Sequence, residues 1–288
     1  MTTEFIELLR HITAAPVHRA ITEMAGGLRN KHPGACAIIA YGSTLRDSSP
    51  HESLIDLYVL TENWRDVSGN PLSRIACRLV APNVYYAECS VEGETYRAKY
   101  AILTLAQFTK KLSAGTGNPY FWARFCQPAR LVWTRDEATK STVIEALQTA
   151  TATAHRHAKG LMPTDDFKAQ WIALFQNTYR TELRPESADR ARLIVDADVQ
   201  HYELASKLLS GETALHHNWA CKRWHGKFLS VLRLVKAAFT FQGGADYIAW
   251  KIKRHSGVEI VLNDFQRRHP LIAAVMLLPA LLRKGAVR

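Results

Sequence analysis

An apolar run broken by one carboxylate, Leu-Ile-Asp-Leu-Tyr-Val-Leu at positions 54–60, most limits the folds open to this chain. Such a run, rich in aliphatic residues and short, reads as a strand buried on both faces. Asp56 stands inside it. A buried carboxylate without a partner is costly to desolvate, so Asp56 calls for a cation: a bound Mg²⁺ or a buried arginine. A second apolar run, Cys36 to Tyr41, precedes it and ends at Gly42-Ser43. Glycine lets backbone come close to a phosphate because no Cβ intervenes. The Ser43 hydroxyl and nearby amides can donate to phosphate oxygens. A plain turn followed by a salt-bridged strand accounts for the same residues, and the shape of the motif alone leaves the two readings level.

The surrounding pattern is α+β. Phe5, Leu8, Leu9, Val17, Ile21 and Met24 recur at helical spacing over residues 4–30, with Gly26-Gly27 read as the stop. Val84 to Glu88 and Glu94 to Leu103 read as strands joined by a turn at Glu92-Gly93, and Thr104 as the cap of a helix reaching Leu112. From Ser141 onward the chain is helical: Val143 to His157, Phe167 to Leu183 and Asp196 to Leu209. The expected organisation is a mixed sheet with helices over 1–138, a mainly helical domain over 139–218, and a basic helical region over 219–288.

Charge follows that division. Residues 219–288 hold 13 Lys+Arg against 3 Asp+Glu, while the first 218 are nearly balanced, so the net charge of +11 belongs to the C-terminal quarter. Such a block attracts nucleic acid, an anionic membrane or phosphate-rich substrates. The five cysteines are scattered with no C-x-x-C pair, which argues against a zinc ribbon or a disulfide framework. His155, His157, His216 and His217 lack companion ligands at zinc spacing and read as solvated or capping residues. Trp219, Trp224, Lys222 and Arg223 could grip nucleic acid, but a helix core with exposed cations is the simpler account.

The order of several short motifs resembles the mitochondrial-type CDP-diacylglycerol synthase family, also called the translocator assembly and maintenance family, of the nucleotidyltransferase superfamily. The matching segments are AYGST (40–44), LIDLYVL (54–60) with Trp64 after it, Tyr85-Tyr86, Glu92-Gly93, Lys99-Tyr100, then Tyr120 with ARFCQP (123–128). Further on come LMPTDDF (161–167), TYRTELR (178–184) and the stretch 234–257, with Lys236 and Thr240 in register. The superfamily's usual signature is Gly-Ser followed by Asp-x-Asp. Leu54 stands where the first aspartate would be, as it does in this one family, and Ala101 replaces a family glycine.

The resemblance implies a nucleotidyltransferase-like mixed sheet and the transfer of CMP from CTP to phosphatidate, giving CDP-diacylglycerol and pyrophosphate. It implies Mg²⁺ on Asp56, with Glu88 as the favoured second ligand over Glu52 and Asp47. Lys99 and Asp56 would be catalytic, and Tyr41, Gly42, Ser43 and Arg124 would bind the nucleotide. A lipid substrate implies an anionic membrane surface as partner. Lys236, Lys251, Lys253, Arg267 and Arg268, with the apolar run Leu271 to Leu282, would meet it. That run is too short to span a bilayer, which needs roughly 20 residues. Nucleic acid is not the expected partner. With no leader sequence visible, the expected location is cytoplasmic, peripheral on the inner face of a bacterial cell membrane. Two alternatives stay open: a nucleotidyltransferase acting on RNA or a small molecule, and a non-catalytic membrane or nucleic-acid binding module with a degenerate site.

Overall fold

The computed structural model describes residues 3–45, 53–182, 188–216, 218–240, 249 and 261–268. Two helices, α1 (Thr3–Ala14) and α2 (Arg19–Lys31), lead into strand β1 (Ala35–Tyr41). Strand β2 (Leu54–Thr61), helix α3 (Pro71–Leu79) and the hairpin β3 (Asn83–Val91)–β4 (Glu94–Thr104) follow. Next come α4 (Leu105–Leu112), the single turn α5 (Trp122–Phe125) and strand β5 (Arg130–Thr134). The rest is helical: α6 (Glu137–Leu161), α7 (Phe167–Tyr179), α8 (Ala188–Ala197), α9 (Val199–Leu208), α10 (Trp219–Thr240) and α11 (Asp264–Arg268).

The fold is α+β, with one mixed five-stranded sheet in the order β3-β4-β2-β1-β5. Only β2 and β4 run parallel; the other neighbours are antiparallel. Strands β1 and β2 are central, which explains why their sequences are apolar almost throughout: β1 is buried at every position. The β3–β4 hairpin turns at Glu92 and Gly93, both with positive φ (55° and 85°), the backbone of a tight two-residue turn. Thr104 caps α4 as expected, its hydroxyl accepting from the Gln107 amide at 3.2 Å.

Several expectations needed correction. Helix α2 does not stop at Gly26-Gly27 but runs through them to Lys31, because Met24, Ala25 and Leu28 on either side are buried in the core. Two helical glycines cost about 1 kcal/mol each relative to alanine, and burying the side chains around them outweighs that. His155 and His157 are not solvated. Both lie in the core on α6, where His157 stacks on Trp122 with ring centroids 4.9 Å apart. The expected boundary at 138/139 coincides with the start of α6, yet one continuous core runs across it from Phe5 to Leu209. Helix α6 packs on α1, α4 and α5 and also on α7 and α9. Among the described residues no helix is long and apolar enough to cross a membrane. Leu271 to Leu282, Lys251 and Lys253 lie outside the described residues.

Candidate active site

The pairing of three strands builds the site. Tyr41 at the end of β1 pairs with Asp56 on β2, and Asp56 pairs with Lys99 on the parallel neighbour β4. Residues in one transverse row of a sheet point to the same face, so the phenol, the carboxylate and the ammonium meet. Lys99 Nζ lies 3.4 Å from Asp56 Oδ1, and the Tyr41 hydroxyl donates to the same oxygen at 3.5 Å. The cation that Asp56 calls for is therefore, in part, Lys99 from the adjacent strand.

Immediately after Tyr41 the chain turns over this carboxylate. Gly42 has φ +91°, and a Cβ built on it would come within 3.3 Å of Asp56 Oδ2. A side chain here is opposed both by the backbone conformation and by the closeness of the carboxylate. Ser43 follows, exposed, in a single 3₁₀ turn.

Helix α5 and the helical half of the molecule supply the other wall. Tyr41, Gly42, Ser43, Asp56, Lys99, Tyr120 and Arg124 line a cavity of about 200 Å³, joined by Gln127 and by Thr178, Tyr179, Glu182, Arg190 and Ile194. The Arg124 guanidinium lies 5.3 Å from the ring centroid of Tyr41 and 4.3 Å from that of Tyr120. Phenols are its main neighbours, and Glu182 acts on it more weakly. A guanidinium whose neighbours are mainly phenols suits an anionic ligand.

The tyrosines report this field. Burial, then the charge of Asp56, pushes the Tyr41 phenol well above its ordinary range. Burial also pushes Tyr120 up, but Arg124, Arg233 and Lys99 together outweigh it and the net shift is downward. Arg124 and Arg233 lie 4.3 and 3.9 Å from the Tyr120 ring centroid, so this wall carries positive charge of the kind that attracts anions.

The structure gathers Tyr41, Gly42, Ser43, Asp56, Lys99 and Arg124 into one cavity. It does not bring Glu88 there. Glu88 lies on β3, two strands from Asp56 with β4 between them, about 10 Å in sheet spacing. Its carboxylate accepts from the Tyr86 hydroxyl at 2.6 Å and pairs with Arg97 at 3.3 Å. Among the described residues no three His, Cys, Asp or Glu side chains cluster to hold a metal. Lys236 turns inward to the carbonyls of Val80 and Pro82. Arg267 and Arg268 end α11, and their side chains lie outside the described structure.

Sequence reasoning missed Gln127, Glu182, Arg190 and Arg233. The last stacks over the Tyr120 ring at 3.9 Å from α10. Gln127 and Glu182 stand inside the segments 123–128 and 178–184 without a role of their own there, while Arg190 and Arg233 carry no local signal and reach the cavity and its Tyr120 wall only through long-range packing.

No protein-family model and no curated protein matches the chain. A crystal structure of a nucleotidyltransferase-like protein from Exiguobacterium sibiricum 255-15 is similar at 12% identity, covering 92% of each chain with a TM-score of 0.28.

Proposed function

We propose that the chain is a nucleotidyltransferase that transfers CMP from CTP to phosphatidate, releasing pyrophosphate. The observation that carries the nucleotidyl-transfer part is the Tyr41–Asp56–Lys99 row beneath the Gly42 turn, facing Arg124 across a polar cavity. One carboxylate flanked by cations and a glycine turn suits a polyphosphate that arrives with its own metal. The choice of CTP and phosphatidate rests on the motif resemblance, including Leu54 in place of a first aspartate.

Asp56 fits a Mg²⁺ of this kind. Magnesium is commonly held by one or two carboxylates plus substrate phosphates rather than by an all-protein cage. Asp56 would hold it, with Glu182 the other carboxylate on the cavity wall. When bound, the ion supplies charge neutralisation on the phosphate oxygens.

The chain's own groups do the rest. An oxygen of the lipid phosphate attacks the α-phosphorus, an O–P bond forms, the bond to the β-phosphate oxygen breaks, and pyrophosphate leaves with that electron pair. All reactants are anionic, so positioning and charge stabilisation supply most of the catalysis. Lys99 and Arg124 offset charge on the phosphates. Gly42 lets the backbone approach them, and Ser43 offers a hydroxyl donor.

The test is pyrophosphate release with Mg²⁺ and each nucleoside triphosphate in turn, given either detergent-dispersed phosphatidate or tRNA as acceptor. Release that needs both CTP and phosphatidate supports the proposal. Release driven by RNA would assign the site to another nucleotidyltransferase, and no release with any pair would leave a binding module.

A further inference from the structure

Helix α10 is inside out. On its inward side are Lys222, Gly226, Arg233 and Lys236. Lys222 is buried and donates to the Gly117 carbonyl at 3.3 Å, and Arg233 and Lys236 reach the carbonyls of Ala81, Val80 and Pro82. Gly226 sits so close to Thr181 that a Cβ would come within 2.6 Å of its carbonyl oxygen. On the outward side stand Trp224, Phe228, Val231 and Val235, all exposed, with Trp224 at 79%. Trp219 packs against the core as expected, its ring 5.7 Å from that of His157, but Trp224 and Lys222 exchange the places expected of them: the tryptophan is exposed and the lysine buried.

Helix α3 repeats the arrangement. Ser73 and Cys77 are buried, while Leu72, Ile75 and Leu79, spaced i, i+3, i+7, are exposed, Leu72 and Leu79 at 76% and 75%. An apolar stripe at helical spacing ordinarily faces a core. Here two of them flank one groove of about 420 Å³, with Leu72, Ala76, Leu79, Leu232 and Val235 in its walls. An exposed apolar surface of this kind marks an interaction site.

Charge decides the occupant. Neither α3 nor α10 contains an Asp or a Glu, and both carry cations, Arg74 and Arg78 on α3 and Arg223 and Lys227 on α10. A second copy docking through the same face would set these cations against themselves, which is disfavoured. An apolar face edged by cations, with an exposed tryptophan, matches the interfacial zone of an anionic bilayer.

We infer that the α3–α10 face docks on an anionic membrane surface. The apolar residues enter the headgroup–acyl boundary and the cations meet the headgroups. The face adjoins the candidate active site, because Arg233, rooted on α10, stacks on Tyr120 at the cavity wall. The inference deepens the lipid reading by giving it a surface, and it assigns that role to α3 and α10.

The experiment is co-sedimentation of the full chain, without nucleotide, with vesicles of equimolar phosphatidylcholine and phosphatidylglycerol. Binding that weakens with salt is expected. The double substitution L72E/L79E should lower affinity by about tenfold or more, since each leucine contributes a large apolar burial. Both side chains are exposed, so the fold is not at stake. Arg78→Glu with Lys227→Glu, also exposed, should weaken binding to these vesicles and make what remains less sensitive to salt. Unchanged binding by both double variants would overturn the inference. So would a wild-type dimer that L72E/L79E dissociates, or single-stranded RNA bound in place of vesicles. Phosphatidylglycerol is not the proposed substrate, so failure here leaves cytidylyl transfer to its own assay on detergent-dispersed phosphatidate. A negative assay there leaves the vesicle result standing.

Discussion

Lys99 and Asp56 face each other across the parallel pair β2–β4, with Nζ 3.4 Å from Oδ1. The pair holds a cation beside Asp56 near the start of β2, next to the carboxylate proposed to hold Mg²⁺. Both side chains are partly exposed, so the ion pair itself adds little to stability. Asp56→Asn should therefore leave the thermal midpoint almost unchanged and cut kcat/KM for pyrophosphate release by roughly a thousandfold or more. Lys99→Met should fall by roughly a hundredfold, with the loss larger in kcat than in KM. An Asp56→Asn protein with near-normal turnover would sink the site assignment.

Gly42→Ala tests the turn. Its φ of +91° is strained for any other residue, and the new methyl would press within 3.3 Å of the Asp56 carboxylate. The backbone term alone costs about 1–2 kcal/mol, a fall of several degrees in thermal midpoint by calorimetry. Because the clash is with the proposed metal ligand, activity measured well below that midpoint should drop by a further order of magnitude. Full activity at that temperature would remove Gly42 from the site.

Glycines elsewhere separate what the sequence displays from what only packing decides. The central strands and the hairpin were readable because their signals are local: continuous apolar runs, a Glu-Gly turn, a threonine cap. Tyr41, Asp56 and Lys99 could be singled out one by one. Their meeting depended on strand order, which no local pattern encodes. Strand β5 carries only a short signal, Leu131-Val132-Trp133, and is half-buried at all five positions, with no alternation to mark a face. Helix α3 had a signal that went unread, Asn70-Pro71, where the Asn70 side chain accepts from the Leu72 and Ser73 amides. The inversion of α10 was invisible because an apolar stripe implies a face and never says whether it points in or out.

Gly27 and Gly226 turn that distinction into a measurement. Gly27 lies exposed in the interior of α2 with nothing within 4 Å of a built Cβ, so Gly27→Ala should stabilise by about 0.5–1 kcal/mol. Gly226 is also helical, but its Cβ would collide with the Thr181 carbonyl, so Gly226→Ala should destabilise by about 1–3 kcal/mol. Urea unfolding of the two variants should move the midpoints in opposite directions. A stabilising Gly226→Ala would show that α10 does not lie against Thr181.

Acid stability should depend on histidines that the core holds neutral. Burial, then the nearby Lys159 charge, lowers His155 to about 4, and burial with Lys31 brings His32 to about 4 as well. The unfolded chain binds these protons at an ordinary histidine pKa near 6.5, so below that pH it holds more protons than the folded state. Stability is therefore fully present above about pH 6.5 and declines as pH falls toward 4. His155 is almost wholly buried, and its share of the loss is on the order of 1–3 kcal/mol. His155→Leu removes that proton uptake. Between pH 6.5 and 4 its thermal midpoint should fall less steeply than that of the parent chain, while above pH 7 any offset between the two should be constant. Parallel curves across the acid range would show that His155 is not held neutral by the fold.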